Sequence, residues 1–347
     1  MSTGGEGKKR GQFRAIIAIC VVAILLVIAL VSAIGALNRD VYSAGGFVRQ
    51  YLDALARKDT VGALALAGVE PTNASLEAAG LPQNLPDTLL RPSVLGDLTD
   101  IRQVSDTETS PGTHTVVYEF SVDGEVASMS FSVRGDGTFA GVFNSWSFAA
   151  SPLAVLQVTV LHAATFTVNG LTLDTRALDS ADDPATFSNQ AAYLAFAPAR
   201  YTVQHDSTLL GSDQVITTVT QAAAVDVTVD AQPNANMISQ VQSELNNYLD
   251  SCAEQQVLQP SNCPFGIEIN DRVKGLPTWS IPNYPAVTLS PGQTTFDMAP
   301  TPGVAHIVVE VQSLFDGEIS TKNEDVDFEV GLSVTVNGDG SLVIQLH

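Results

Sequence analysis

Catalysis and metal binding draw on few residue types, and their spacing here is informative. The five histidines, His114, His162, His205, His306 and His347, are scattered, and no HExxH or comparable spacing joins two of them. A metal centre is therefore not expected. The chain has no GxSxG elbow, SxxK acyl-enzyme motif, Walker loop or GxGxxG turn, so neither an enzyme nor a cofactor is expected. Cys252 and Cys263 are the two cysteines beyond an N-terminal apolar run, with ten residues between them. Outside the cytoplasm a disulfide is the simplest reading of that pair. Zinc ligation is the alternative, although no histidine lies close in sequence. A disulfide would also remove both thiols as nucleophiles.

Aromatic residues and carboxylates give the other candidates. Tyr51, Tyr118, Phe120, Phe131 and Trp146 can line a pocket, with Asp53 and Glu119 as the nearby acids. A closed pocket can raise a carboxyl pKa for proton transfer. Alternation, however, turns Glu119 away from Tyr118 and Phe120, and helical spacing puts Asp53 on a polar face, so a filled core is the stronger expectation. Arg134-Gly135-Asp136 spells an integrin-binding tripeptide but reads as a β-turn. Asn73-Ala74-Ser75 is a glycosylation sequon only where that machinery exists. Asp325, Asp327 and Glu329 alternate beside Glu324 and could hold calcium, yet without an EF-hand ladder a solubilising strand edge is expected.

These residues sit behind an apolar span. Ala15 to Leu37 contains no charge and no proline, and as a helix it would extend about 34 Å, enough to cross a bilayer. Lys8, Lys9, Arg10 and Arg14 precede it and Arg39 and Asp40 follow, which predicts residues 1–14 in the cytoplasm and the remainder outside the plasma membrane. A cleaved signal peptide is the alternative, given the small residues Ser32, Ala33, Gly35 and Ala36. The span is longer than the usual signal-peptide core and favours an uncleaved anchor. Beyond residue 38 stand 12 bases and 36 acids, because four of the 16 bases and one of the 37 acids precede it. A net charge of −24 makes nucleic acid and anionic lipid poor partners.

The remaining patterns predict an α+β ectodomain. In residues 42–150, Phe47, Val48, Tyr51, Leu52, Leu55 and Ala56 form the apolar stripe of a helix. A short helix from Val61 to Ala67, capped by Asp59 or Thr60, follows. Strands are expected at 99–105, 113–122, 125–133 and 141–148, with tight turns at Asp123-Gly124 and Gly135-Asp136-Gly137. Residues 153–230 read as a β-rich domain, with strands at 155–162, 165–168, 171–173, 199–204, 214–220 and 224–229. It also carries a turn at Asn169-Gly170 and a charged loop at Asp179–Pro184. Residues 236–347 return to helix then meander. Met237, Ile238, Val241, Leu245, Tyr248, Leu249 and Cys252 share a helix face, and strands are expected at 265–269, 286–289, 306–313, 326–336 and 341–345. SMSFSVRGDGTFAGV (128–142) and VGLSVTVNGDGSLVIQL (330–346) share a strand, a GDG turn and a strand, which suggests a duplication.

The FVRQYLDALARKDTVGALAL opening and the meander closing on Asn144-Ser145-Trp146 resemble the ketosteroid-isomerase-like, or nuclear transport factor 2-like, cone fold of anchored actinobacterial proteins. The layout of anchor, cone-like domain, β-rich middle and second helix-plus-meander domain is similar to TcaA-type envelope proteins. The chain has no cytoplasmic zinc ribbon such as those proteins often carry. The resemblance implies a non-enzymatic envelope protein whose ectodomain binds cell-wall polymer or another envelope protein, held to membrane lipid by its anchor. The alternatives are a small-ligand carrier or enzyme using the cone pocket, and a structural spacer.

Overall fold

Unbroken apolar sequence folds as unbroken helix. The computed structural model describes residues 6–178, 187–338 and 340–347, and its first element, α1, runs Glu6–Asp40. The stretch Ile19–Asp40 is long and apolar enough to cross a membrane. Leu26 and Val31 are among its exposed side chains, and Cys20 on the same stretch is a free, exposed thiol. Leaving such a side chain in water forgoes roughly 1.5–3 kcal/mol, which hydrocarbon surroundings restore.

The chain divides into two units. The first comprises Met1–Gln157, Ala192–Tyr201 and Ile216–Asp226, and the second Val158–Ala191, Thr202–Val215 and Val227–His347. In unit 1, the Ser43 side chain accepts the N–H of Gly46 and opens α2 (Ala44–Ala56). Phe47, Val48, Tyr51, Leu52 and Leu55 are buried beneath it, while Arg57 faces water. Asp59 caps α3 (Thr60–Leu64) by accepting the N–H of Gly62. This helix ends before the expected Ala67 for a geometric reason. Gly68 has φ +79°, and a Cβ there would lie 2.4 Å from the Phe148 carbonyl oxygen, so the chain turns away to receive the Phe148 N–H on Ala67 O at 2.9 Å. The connection that follows contains a further helix, α4 (Asn73–Ala78), capped by Thr72, so the Asn73 sequon occupies its first turn.

Four antiparallel strands follow in the order of the chain: β1 (Leu98–Ser110), β2 (Thr113–Val122), β3 (Glu125–Phe139) and β4 (Phe143–Phe148). Asp123 and Gly124, at φ 47° and 84°, form the expected tight turn. Gly135-Asp136-Gly137 does not turn. The register shifts between Gly135 and Gly137, so these residues are a bulge inside β3, and the reversal falls at Ala140-Gly141, φ 51° and 73°. Arg134 and Asp136 meet there at 3.3 Å, which folds the RGD sequence back on itself.

Among the described residues nine strands come next: β5 (Ala154–Leu161), β6 (Thr165–Val168), β7 (Leu171–Asp174), β8 (Ser188–Ala195), β9 (Ala199–Gln204), β10 (Leu210–Gly211), β11 (Val215–Val219), β12 (Ala224–Asp230) and β13 (Gln232–Pro233). They pair in the orders β12-β5-β8, β11-β9-β6-β7 and β10-β13. Asn169-Gly170 is a positive-φ turn as expected. The charged loop at Asp179–Pro184 lies outside the described residues.

In unit 2, Asn234 caps α5 (Ala235–Ala253), whose buried side chains Met237, Val241, Leu245, Leu249 and Cys252 recur every three or four residues. They join a core with Trp279, Phe296, Ile307 and Leu332. The sheet contains β14 (Arg272–Val273), β15 (Thr278–Asn283), β16 (Ser290–Pro291), β17 (Phe296–Gln312), β18 (Ile319–Val336) and β19 (Leu342–Leu346). Its path is β14-β17-β18-β19, with β15 and β16 also paired to β17. Two expected strands are irregular instead. At 265–269 the Ile267 N–H goes to Leu258 O, and at 286–289 the Val287 N–H goes to the Gln242 side chain. Their backbone groups are satisfied without a ladder.

Candidate functional site

The aromatic candidates of unit 1 come together as interior. Tyr51, Tyr118, Phe120 and Phe131 are all buried, and Trp146 is half-buried. The Tyr51 ring meets Phe148 edge-on at 5.4 Å and Phe131 at 6.2 Å. Its hydroxyl donates to Ala197 O at 2.9 Å, and the Tyr118 hydroxyl donates to Gly45 O at 3.0 Å. Burial, reinforced by neighbouring Tyr201, pushes the Tyr51 hydroxyl well above the ordinary tyrosine value. Burial also raises Tyr118 and Tyr201. Trp146 Nε1 donates to Tyr42 O at 2.9 Å. The acids lie elsewhere: Asp53 pairs with Arg49 at 2.8 Å and Glu119 with Arg102 at 2.6 Å, both on exposed surface.

Three histidines have aspartate partners that no sequence spacing reveals. His114 lies 2.6 Å from Asp106, His162 2.8 Å from Asp230, and His306 2.7 Å from its cross-strand neighbour Asp325. His205 is buried, with Nδ1 2.7 Å from Thr165 O. Among the described residues, no group of three or more His, Cys, Asp or Glu could hold a metal ion. Asp325, Asp327 and Glu329 are exposed on one face of β18, and Lys322 pairs with Glu324 at 3.1 Å.

Cys252 and Cys263 are bonded to each other, which excludes the zinc reading. The bond ties the end of α5 to the loop that follows, and Tyr248 on the same helix donates to Asn262 O in that loop. Two residues further along α5, Asp250 accepts from Tyr284, and that bond raises the Tyr284 hydroxyl pKa.

Beside α5 lie two clefts of about 340 and 280 Å³ that share Tyr248 and Leu346. The larger is lined by Gln240, Glu244 and Leu245 from α5 and by Leu342 and Ile344 from β19. The smaller extends past Cys263 and Glu329 to His347. Sequence reasoning places Leu245 and Tyr248 on a helix face and 341–345 in a strand, but not side by side. The available signal is the uncharged alternation of LVIQL next to a helix whose Gln240, Glu244 and Tyr248 repeat at a spacing of four. Compared with protein-family models, curated proteins and solved structures, the chain matches none.

Proposed function

We propose that the chain is a membrane-anchored binding or assembly protein of the bacterial cell envelope, with its N-terminus in the cytoplasm and its folded units outside the plasma membrane. The observation that carries this reading is the pairing of an apolar, unpacked span, Ile19–Asp40, with a β-rich, disulfide-bonded remainder. Structural disulfides persist outside the cytoplasm, and the basic cluster before the span supports that orientation. The helix-on-sheet layering of α2 over β1–β4 supports a cone-type, nuclear transport factor 2-like domain. The clefts along α5 supply a surface that a wall polymer or a membrane-protein partner could occupy.

Crosslinking in intact cells, followed by affinity recovery of the full chain, tests this role. Reproducible recovery of wall fragments or of one envelope protein is expected. Recovery of neither, at crosslinking yields that capture known envelope complexes, would overturn it.

A further inference from the structure

An edge strand presents unpaired N–H and C=O groups, and folded proteins ordinarily blunt such edges with charge, bulges or covering segments. Three edges here follow that rule. On β4, the Asn144 N–H donates to the Asn38 side chain at 3.1 Å and the Phe148 N–H to Ala67 O at 2.9 Å. Strand β1 carries Asp100, Arg102, Asp106 and Glu108 and has three register shifts against β2. The part of β18 before its pairing with β19 carries Lys322, Glu324, Asp325, Asp327 and Glu329. Strand β19 has none of these devices. Its sequence LVIQL has no charge and no proline, it pairs with β18 in unbroken register, and no strand flanks its other side among the described residues.

The hydrogen-bond parity shows which groups that edge offers. Gly331 and His347 exchange both backbone bonds, at 3.2 and 3.0 Å, and the Asn337 N–H donates to Ser341 O at 2.9 Å. Antiparallel ladders alternate, so Val343 and Gln345 also direct their amides toward β18. The N–H and C=O groups of Leu342, Ile344 and Leu346 therefore point to the open edge. The side chains of those same three residues line the larger cleft opposite Gln240, Glu244 and Tyr248. A strand added there would send every second side chain into the cleft. Its volume, about 340 Å³, falls at the lower end of ligand pockets, about 300–1,000 Å³.

We propose that β19 binds an extended segment of a partner polypeptide as an added antiparallel strand, with apolar side chains entering the cleft and basic residues at its ends. The charge preference follows from the lining. Glu244 and Glu329 contribute to the two clefts, and no lysine or arginine does. A second copy of this chain would bring its own Glu244 and Glu329 to the same edge, on residues beyond 38 that carry a further net −24. Complementary charge favours a cationic segment instead. This assignment rests on the binding role proposed above and narrows it to a peptide-bearing partner.

The test uses the full chain in zwitterionic lipid nanodiscs and the labelled peptide RTVTLTR, read by fluorescence anisotropy against empty discs. Saturable binding is expected. Methylating the Val and Leu backbone nitrogens, which face β19, should weaken it at least tenfold. Methylating the three Thr nitrogens, which face away, should change it less than twofold, and the acidic twin ETVTLTE should bind at least tenfold more weakly. Ile344→Pro should also abolish binding, while the peptide series stands whether or not that variant folds. Equal binding of the two methylated series, equal binding of the acidic twin, or no saturable binding at about 1 mM peptide, a bound of about −4 kcal/mol, would overturn the proposal. Self-association that Ile344→Lys removes would do the same, by assigning the edge to a second copy. Recovery of an envelope partner by a chain that binds no peptide would remove this surface and keep the broader role.

Discussion

Unit 1 and unit 2 each lay an amphipathic helix over an antiparallel sheet, but they treat their interiors and edges differently. In unit 1 the rings of Phe47, Tyr51, Phe131 and Phe148 pack on one another, and the tyrosine hydroxyls donate to backbone carbonyls. The last strand of its four-stranded meander, β4, is covered by Asn38 and Ala67. In unit 2 the helix is stapled to a loop through Cys252–Cys263, clefts open along α5, and the last strand is bare and uncharged. The same layering can thus yield an aromatic interior with a covered edge or a surface with bonds left to make. The difference lies in edge residues and in what the helix leaves uncovered, not in strand order.

The largest expected effect is in unit 1. Phe148→Ala should destabilise it by about 3–5 kcal/mol, because the ring is buried against three other aromatics and a cavity would remain. Denaturant unfolding with probes in each unit would show this as a shift confined to unit 1. Replacing both Cys252 and Cys263 by serine should cost unit 2 about 3 kcal/mol, through the loop entropy restored to the unfolded chain. A shift of the unit 1 transition in that variant would contradict the division. Tyr51→Phe should cost roughly 1–2 kcal/mol by leaving the Ala197 carbonyl without its donor.

The same tyrosines give a pH signature. Their folded-state pKa values are raised, so the folded state holds their protons more tightly than the unfolded chain does. That contribution is fully present below the ordinary value of 10.0 and is lost as pH rises above it. Phenolate absorbance should show Tyr51 and Tyr201 silent until unit 1 unfolds. The smallest expected effect is on stability in Ile344→Lys, about 1 kcal/mol or less, since that side chain is only partly buried and the ladder directs its amide away from β18.

Much of the scaffold was legible wherever a single local rule governed the chain. Thr113–Val122, Thr165–Val168 and Ala199–Gln204 match the expected strands residue for residue, because alternation and Asx-Gly turns act over neighbouring positions. The long apolar helix and the disulfide were legible for similar reasons. Errors arose where distant partners decided the outcome. Gly135-Asp136-Gly137 has turn chemistry, yet β4 pairs across it and makes it a bulge. Val287 has strand character, but Gln242 of α5 takes its N–H. The polar, alanine-rich SNQAAYLA showed no strand pattern and is nonetheless β8.

The suggested duplication meets the same limit. Gly340, unlike Gly137, lies in a true reversal, with its N–H on Asn337 O at 2.9 Å, so two similar sequences do different work. The clefts were the least legible feature, because nothing local in LVIQL announces that α5 will stand beside it.

Residue-resolved amide hydrogen exchange on the full chain, with and without RTVTLTR, tests the contrast between covered and open edges most directly. Without peptide, the amides of Leu342, Ile344 and Leu346 should exchange far faster than those of Val343, Gln345 and His347, and faster than the covered Asn144 and Phe148 of β4. With peptide, those three alone should slow. Equal protection along β19 in the free protein, or peptide that binds without slowing them, would contradict an open edge awaiting a strand.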